Sequence, residues 1–244
     1  MNAISAIYAL IEKGKRQKVE DYIFPRLGTA LLTDRFFIVC DGVGGNSKGE
    51  VASQIVAETL GNELKQSHCP STVQAIHHAV LRARTNLQNF VNLHPEAEKM
   101  STTLTLAIFE GNNVQLAWCG DSKIYHIRKD QIRWKSKDHS LVQHLVDTGE
   151  IGPEEMYTHP NRNVILRSVS IRVETEDISL HHLAGLEKGD YILLATDGIF
   201  EHIDDEIIIT ILNNHQTDKS NLFYQYCEGK TNDNYSMYLL QIDQ

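Results

Sequence analysis

The sequence has no excess of positive charge, no paired cysteine spacing and no long apolar run, and each absence removes a class of function. With 23 lysines and arginines against 32 acidic residues and a formal net charge of −9, it lacks the clustered basic surface on which non-specific nucleic-acid binding depends. The cysteines, Cys40, Cys69, Cys119 and Cys227, show no close spacing. Two lie in apolar strand-like runs and read as reduced, buried thiols in a reducing compartment rather than as a disulfide framework. Twelve histidines include no His-x₃-His spacing, which argues against zinc. The Ile4 to Ile11 stretch is too short to cross a bilayer and has no basic leader, and no later run reaches transmembrane length; a soluble, cytoplasmic protein without membrane contact is expected. Repeats, low-complexity tracts and linkers are missing, so residues 1–244 are expected to form a single domain. No heptad or long apolar stripe asks for a partner, which predicts a monomer.

What is present is a set of acidic residues beside glycine at the ends of β-rich runs. Asp41-Gly42-Val43-Gly44-Gly45 follows Phe36 to Cys40, Gly120-Asp121-Ser122 follows Val114 to Cys119, Asp197-Gly198 follows Tyr191 to Thr196, and Asp233-Asn234 comes late in the chain. Carboxylates delivered by several strand ends can converge on one hard divalent cation, the chemistry of Mg²⁺ or Mn²⁺. Taken singly, each has a plainer reading. Asp-Gly is the commonest hairpin dipeptide, Gly120-Asp121-Ser122-Lys123 can be a β-turn, and Glu20-Asp21 after the basic Lys13 to Lys18 reads as a solvated charge cluster. Asp41 differs in being followed by a glycine-rich loop and then a helix, where backbone can approach a cation or phosphate closely. A nucleotide-binding loop fails on detail: Ser47 stands at the third glycine position, and no Gly-Lys-Ser/Thr follows Gly49.

Spacing predicts a hairpin from Gly28 to Leu32 and Phe36 to Cys40, then a helix capped near Asn46-Ser47 and running to about Ser67, then a second from near Ser71 after Pro70. Strands follow at Thr103 to Phe109, Val114 to Cys119, Lys123 to Arg128 and Gln131 to Trp134, expected as an antiparallel meander, with Thr102-Thr103-Leu104 as core. A short helix from Asp138-His139-Ser140 to Gly149 precedes an irregular segment. Strands at Ile178 to Leu183 and Tyr191 to Thr196, helices at Asp204 to Asn213 and Asn221 to Glu228, and a strand at Tyr235 to Ile242 complete the chain. Strands and helices come in blocks, which predicts a layered α+β sandwich.

In order, Gly14-Lys15-Arg16, Glu20-Asp21, Asp41-Gly42-Val43-Gly44-Gly45, Gly49-Glu50-Val51-Ala52-Ser53, Ser101-Thr102-Thr103-Leu104, Gly120-Asp121-Ser122-Lys123, Asp138-His139-Ser140, His159-Pro160-Asn161, Thr196-Asp197-Gly198 and Asp233-Asn234-Tyr235-Ser236 make a pattern. It resembles the metal-dependent type 2C serine/threonine protein phosphatases in their compact bacterial form, from about Gly14 onward. The resemblance implies a four-layer sandwich, two antiparallel β-sheets flanked by helix pairs, with the metal site at one end. It implies that Asp41 bridges two Mn²⁺ or Mg²⁺ ions, that the Gly42 carbonyl ligates the second, and that Asp197 and Asp233 hold the first. Glu20 and Asp21 would act partly through water, Asp121 with Asp197 would take a third, weaker ion, and Arg16 would grip the substrate phosphate. The segment from about 150 to 175 matches the family's flap and is expected to be mobile.

The expected reaction is hydrolysis of phosphoserine or phosphothreonine in proteins by direct attack of a metal-bridging hydroxide, opposed in the cell by a serine/threonine kinase. Such hydrolysis is very slow uncatalysed, so most of the barrier must fall to electrostatics. An arginine adds a two-pronged phosphate contact that lysine cannot copy. The sequence departs from the wider family at Val43, where animal and plant members carry histidine, at Lys123 for arginine, at Val19 for asparagine and at Thr196 for serine. None of these removes a carboxylate, although the proton donor to the leaving group is left unassigned. The alternatives are a pseudophosphatase scaffold and a phosphatase of a small phosphoester; the first is disfavoured by the presence of Asp41, Asp197 and Asp233, and the metal chemistry alone does not separate the second.

Overall fold

A computed structural model describes residues 4–43, 48–67, 69 and 71–243. The expected cap at Asn46-Ser47, the glycines Gly44 and Gly45, and Pro70 lie outside the described residues. In chain order the first half contains strands β1 (Ile4–Glu12), β2 (Tyr22–Phe24), β3 (Phe36–Cys40) and β4 (Gly42–Val43), then helices α1 (Gly49–Gln66) and α2 (Thr72–Leu93). Next come β5 (Ser101–Thr102), β6 (Leu104–Glu110), β7 (Asn113–Cys119), β8 (Lys123–Arg128), β9 (Gln131–Lys135) and helix α3 (Leu141–Thr148). The last part holds β10 (Ser179–Leu183), β11 (Tyr191–Ala195), α4 (Asp205–Asn213), α5 (Lys219–Cys227) and β12 (Tyr235–Ile242).

Strands alternate their side chains between two faces, so a sheet with apolar residues on both faces must be covered on both. Two five-stranded antiparallel sheets meet this need, in the orders β1-β12-β11-β8-β9 and β10-β7-β6-β3-β2. Phe37, Val39, Leu116, Ile192, Leu194, Tyr238 and Leu240 fill the space between them. The outer face of the second sheet buries Ile38, Leu104 and Leu106 against Val56, Leu60, Ile76, Val80 and Leu87 of α1 and α2. The first sheet packs Leu193, Met237 and Leu239 against Ile208, Ile211 and Phe223 of α4 and α5. The result is the four-layer α+β sandwich. No described helix is long and apolar enough to cross a membrane.

Local chemistry sets the helix ends. Ser71 accepts the Gln74 N–H at the start of α2 and Ser140 accepts the Gln143 N–H at the start of α3, which ends on Gly149 in the left-handed region. Three expectations need correction. Gly28 to Leu32 forms turns; the partner of β3 is the short β2, with Tyr22 opposite Cys40. Ile4–Glu12, given no element from the sequence, is an edge strand paired along its length with β12. The expected meander is divided: β6 and β7 belong to one sheet and β8 and β9 to the other. Gly120, at φ +105°, turns the chain between them, in a conformation that costs a glycine little.

Candidate metal centre

Strand register carries the acidic residues to one end of both sheets. Tyr22 faces Cys40, so the next antiparallel step sets Asp21 opposite Asp41. Ala195 faces Lys123, and two further steps set Asp197 opposite Asp121. Ala195 also faces Met237, which brings Asp233, just before β12, to the same end. Neither Asp-Gly pair is a hairpin: Gly42 begins β4, which pairs with β5, and Asp197 opens a 3-10 turn, Asp197–Glu201. Gly198 allows that turn to sit against β12, since a Cβ there would lie 2.0 Å from the Asn234 carbonyl oxygen.

Backbone and hydroxyl hydrogen bonds fix these loops. Asp41 donates its N–H to Thr103 Oγ1 at 2.9 Å, while its carbonyl accepts from Thr102 Oγ1 at 2.7 Å and from the Thr103 N–H at 2.8 Å. Thr196 Oγ1 donates to Asp21 Oδ2 at 3.1 Å and accepts the Ser236 N–H at 2.9 Å. Asn234 staples the 13–20 segment to β12. Its Nδ2 donates to the Lys13 and Lys18 carbonyls at 2.8 and 3.0 Å, and its Oδ1 accepts the Glu20 N–H at 2.7 Å. The Glu20 carbonyl accepts from Ser53 Oγ at 2.5 Å and from the Gly42 N–H at 3.1 Å.

The electrostatics are those of crowded like charges. Asp21 is buried, at 4% exposure, and burial, with repulsion from Asp197 and Asp233, pushes its carboxyl up to about 7. Burial and then Asp197 and Asp138 push Asp121 up to about 7. Burial and then Asp233 push Asp197 up to about 6. Asp41 is raised well above the usual range by burial and by Asp21, Asp197, Asp121 and Asp233 together. Asp21 Oδ1 and Asp197 Oδ1 are buried without a hydrogen-bond partner. Orphaned oxygens and mutually repelling carboxylates are what a hard divalent cation relieves, so the donor set fits Mg²⁺ or Mn²⁺. Among the described residues no three His, Cys, Asp or Glu side chains close on a single point able to hold an ion. An ion held here would keep several waters, as Mg²⁺ commonly does.

Two of the anticipated residues have other partners. Glu20 Oε1 lies 2.9 Å from Lys18 Nζ. Arg16 Nη2 donates to Asp233 Oδ2 at 2.7 Å, from a guanidinium that is half exposed and has further N–H donors. Sequence reasoning missed the residues that position the carboxylates. Thr103 and Thr196 are fully buried, and only their hydroxyls, inside or at the end of apolar strands, signal the role. Asp21, placed at the metal site by the family resemblance although its own sequence context reads as solvated charge, is buried.

A family model described as protein phosphatase 2C matches residues 20–228. The chain is 33% identical over 178 residues to the serine/threonine protein phosphatase PstP of Mycobacterium tuberculosis, covering 73% of this chain and 34% of that protein; it thus spans about a third of that relative's length. It is 30% identical over 192 residues to the serine/threonine phosphatase stp of Listeria monocytogenes, covering 76% of this chain and 75% of the relative. Among solved structures, the M. tuberculosis serine/threonine phosphatase PstP/Ppp superposes with a TM-score of 0.85 at 30% identity, over 98% of this chain and 99% of that one. The PstP catalytic domain in complex with two manganese ions superposes with a TM-score of 0.83 at 28% identity, over 98% of each chain.

Proposed function

The chain belongs to the protein phosphatase 2C family, and we propose that it removes phosphate from phosphoserine or phosphothreonine in proteins with Mn²⁺ or Mg²⁺ as the working ion. The convergence of Asp21, Asp41, Asp121, Asp197 and Asp233 at one end of the two sheets, with two buried carboxylate oxygens unpartnered, carries this reading. Named relatives of the same fold, one solved with two manganese ions, support it.

When bound, the cations supply an acidified water and the positive charge that neutralises phosphoryl oxygens. Asp41 would help hold both ions, the Gly42 carbonyl the second, and Asp197 and Asp233 the first. Asp21 and Glu20 would act partly through water, and Asp121 with Asp197 would hold a third, more weakly bound ion. Arg16, half exposed beside Asp233, presents its remaining N–H donors to the phosphate. Cys40, next to Asp41, does not compete as a nucleophile: burial, then the Asp21 and Asp41 charges, push its thiol pKa up and keep the sulfur protonated. In this reading hydrolysis is direct, by water, with no covalent enzyme intermediate. The substrates are phosphoproteins in the cytoplasm, an opposing serine/threonine kinase is the natural counterpart, and the working unit is the monomer.

The test is hydrolysis of a phosphothreonine peptide and a small chromogenic phosphoester with Mn²⁺, Mg²⁺ or chelator, beside Asp197→Asn. Metal-dependent peptide turnover that falls at least about 100-fold in the variant, on the scale of removing a major electrostatic contributor, is expected. Turnover of the small ester alone would move the substrate class away from proteins. Failure of folded, metal-loaded protein to turn over either would leave a scaffold.

A further inference from the structure

The turn Gly120-Asp121-Ser122 is gripped from one side by His139. The His139 N–H donates to the Gly120 carbonyl at 2.8 Å, and the Gly120 N–H donates to His139 Nδ1 at 3.2 Å. Because Nδ1 accepts, the ring proton lies on Nε2 and is donated to Ser179 Oγ at 2.9 Å. Trp118 stacks on the ring, with centroids 6.0 Å apart and planes at 15°, and the His139 carbonyl accepts the Leu166 N–H at 2.7 Å. On the opposite flank, Thr103 Oγ1 and Ser122 Oγ are hydrogen-bonded at 2.6 Å. Little freedom is left to the turn, since a Cβ on Gly120 would lie 2.7 Å from the Thr103 side chain.

We propose that His139 is a positioning residue that aims the Asp121 carboxylate at Asp197 and so sets the affinity of the weakest of the divalent cations assigned to this cluster. The proposal rests on the metal reading given above. His139 touches neither ion nor substrate; it acts through the Gly120 peptide, the last backbone unit before Asp121. Ser179 and Trp118 lock the ring in the orientation and tautomer that keep Nδ1 available as an acceptor. The same histidine also bonds Leu166, so it touches both the irregular segment and the Asp121 turn.

The experiment titrates the full chain with Mn²⁺, counting free ion by electron paramagnetic resonance, for wild type, His139→Leu, His139→Asn and Ser179→Ala. Peptide hydrolysis is followed against Mn²⁺ concentration in parallel. Loss of a hydrogen bond of ordinary strength predicts that His139→Leu weakens the last Mn²⁺ step roughly five- to tenfold. The tighter steps and the KM for peptide should not move. His139→Asn, whose Oδ1 can accept in place of Nδ1, should return the last step to within about twofold, and Ser179→Ala should weaken it about two- to threefold. A wild-type isotherm in folded His139→Leu, or in Ser179→Ala should the leucine variant not fold, overturns the proposal. So does an asparagine variant no better than the leucine one, because that pattern belongs to a packing role. A wild-type protein that binds no Mn²⁺ at all overturns the metal reading and this proposal with it, whereas unchanged variants beside a metal-binding wild type overturn this proposal alone.

Discussion

Thr103 ties two of the acidic loops together with one hydroxyl. It accepts the Asp41 N–H and shares a hydrogen bond with the Ser122 hydroxyl, in which either oxygen can donate, so the strand end bearing Asp41 is linked to the turn bearing Asp121. Thr103→Val keeps the shape and removes both bonds, leaving the buried Asp41 N–H without an acceptor. We expect a loss of about 1–3 kcal/mol, read by urea unfolding, together with a weakened response to Mn²⁺; an unchanged midpoint would show that the bond contributes nothing. Asp41 and Asp197 stood out in the sequence because each ends a strand-like run beside glycine, and Asp233, beside Asn234, because it leads into one. Asp21 was placed at the metal site by the family resemblance alone, because a Glu-Asp pair after a basic stretch looks like solvated charge until the register of its neighbour Tyr22 against Cys40 is known. Thr103 and Thr196 were hidden for a related reason: a hydroxyl in an apolar run reads as core, and burial is indeed what makes its hydrogen bond count.

At the scale of elements, Gly61 in α1 presents a test in which two rules oppose each other. Glycine inside a helix ordinarily costs about 1 kcal/mol relative to alanine, so Gly61→Ala should stabilise. Here an added Cβ would lie 2.4 Å from the Phe24 ring, and overpacking of that kind costs about 1–3 kcal/mol. We expect net destabilisation by thermal melting, and recovery when Phe24→Leu is added; a higher melting temperature for Gly61→Ala alone would refute the contact. The helices themselves were legible almost to their ends, since Ser71, Ser140 and Gly149 are local signals acting on the residues beside them. Strand assignment was legible only where the signal was local. Alternation locates Lys123–Arg128 and Tyr235–Ile242 but does not say which sheet receives a strand, so β7 and β8 looked contiguous although the Gly120 turn sends them to different layers. Ile4–Glu12 shows a similar limit, because its partner is the most distant strand in the chain. The short β2 was passed over in favour of the more apolar Gly28 to Leu32, whose Leu31 and Leu32 are 61% and 47% exposed.

For the molecule as a whole, the acidic end couples stability to pH and to cations. Asp21, Asp121 and Asp197 carry raised pKa values in the fold, about 7, 7 and 6, against about 4 in an unfolded chain. Below about pH 4 both states are protonated; as pH climbs to about 7 the unfolded chain gives up these protons first, so the contribution of these groups to stability is lost over that window. A divalent cation offsets the loss and competes with protons for the same oxygens. Mn²⁺ at roughly 100 times its dissociation constant should therefore add about 2.7 kcal/mol at pH 7.5, a rise in melting temperature of about 5–10 °C, and less than half of that at pH 5. Equal rises at the two pH values, measured by differential scanning fluorimetry, would place the ion elsewhere. The position of β12 has a further consequence, for biosynthesis. A strand made late in the chain lies in the interior of its sheet, between β1 and β11, and Asp233 and Asn234 immediately precede it. A nascent chain still holding these residues in the ribosomal exit tunnel has a first sheet without the strand that joins β1 to β11 and a cation pocket without one wall, so completion of that sheet and competence are expected to arrive together, after Tyr235–Ile242 emerges.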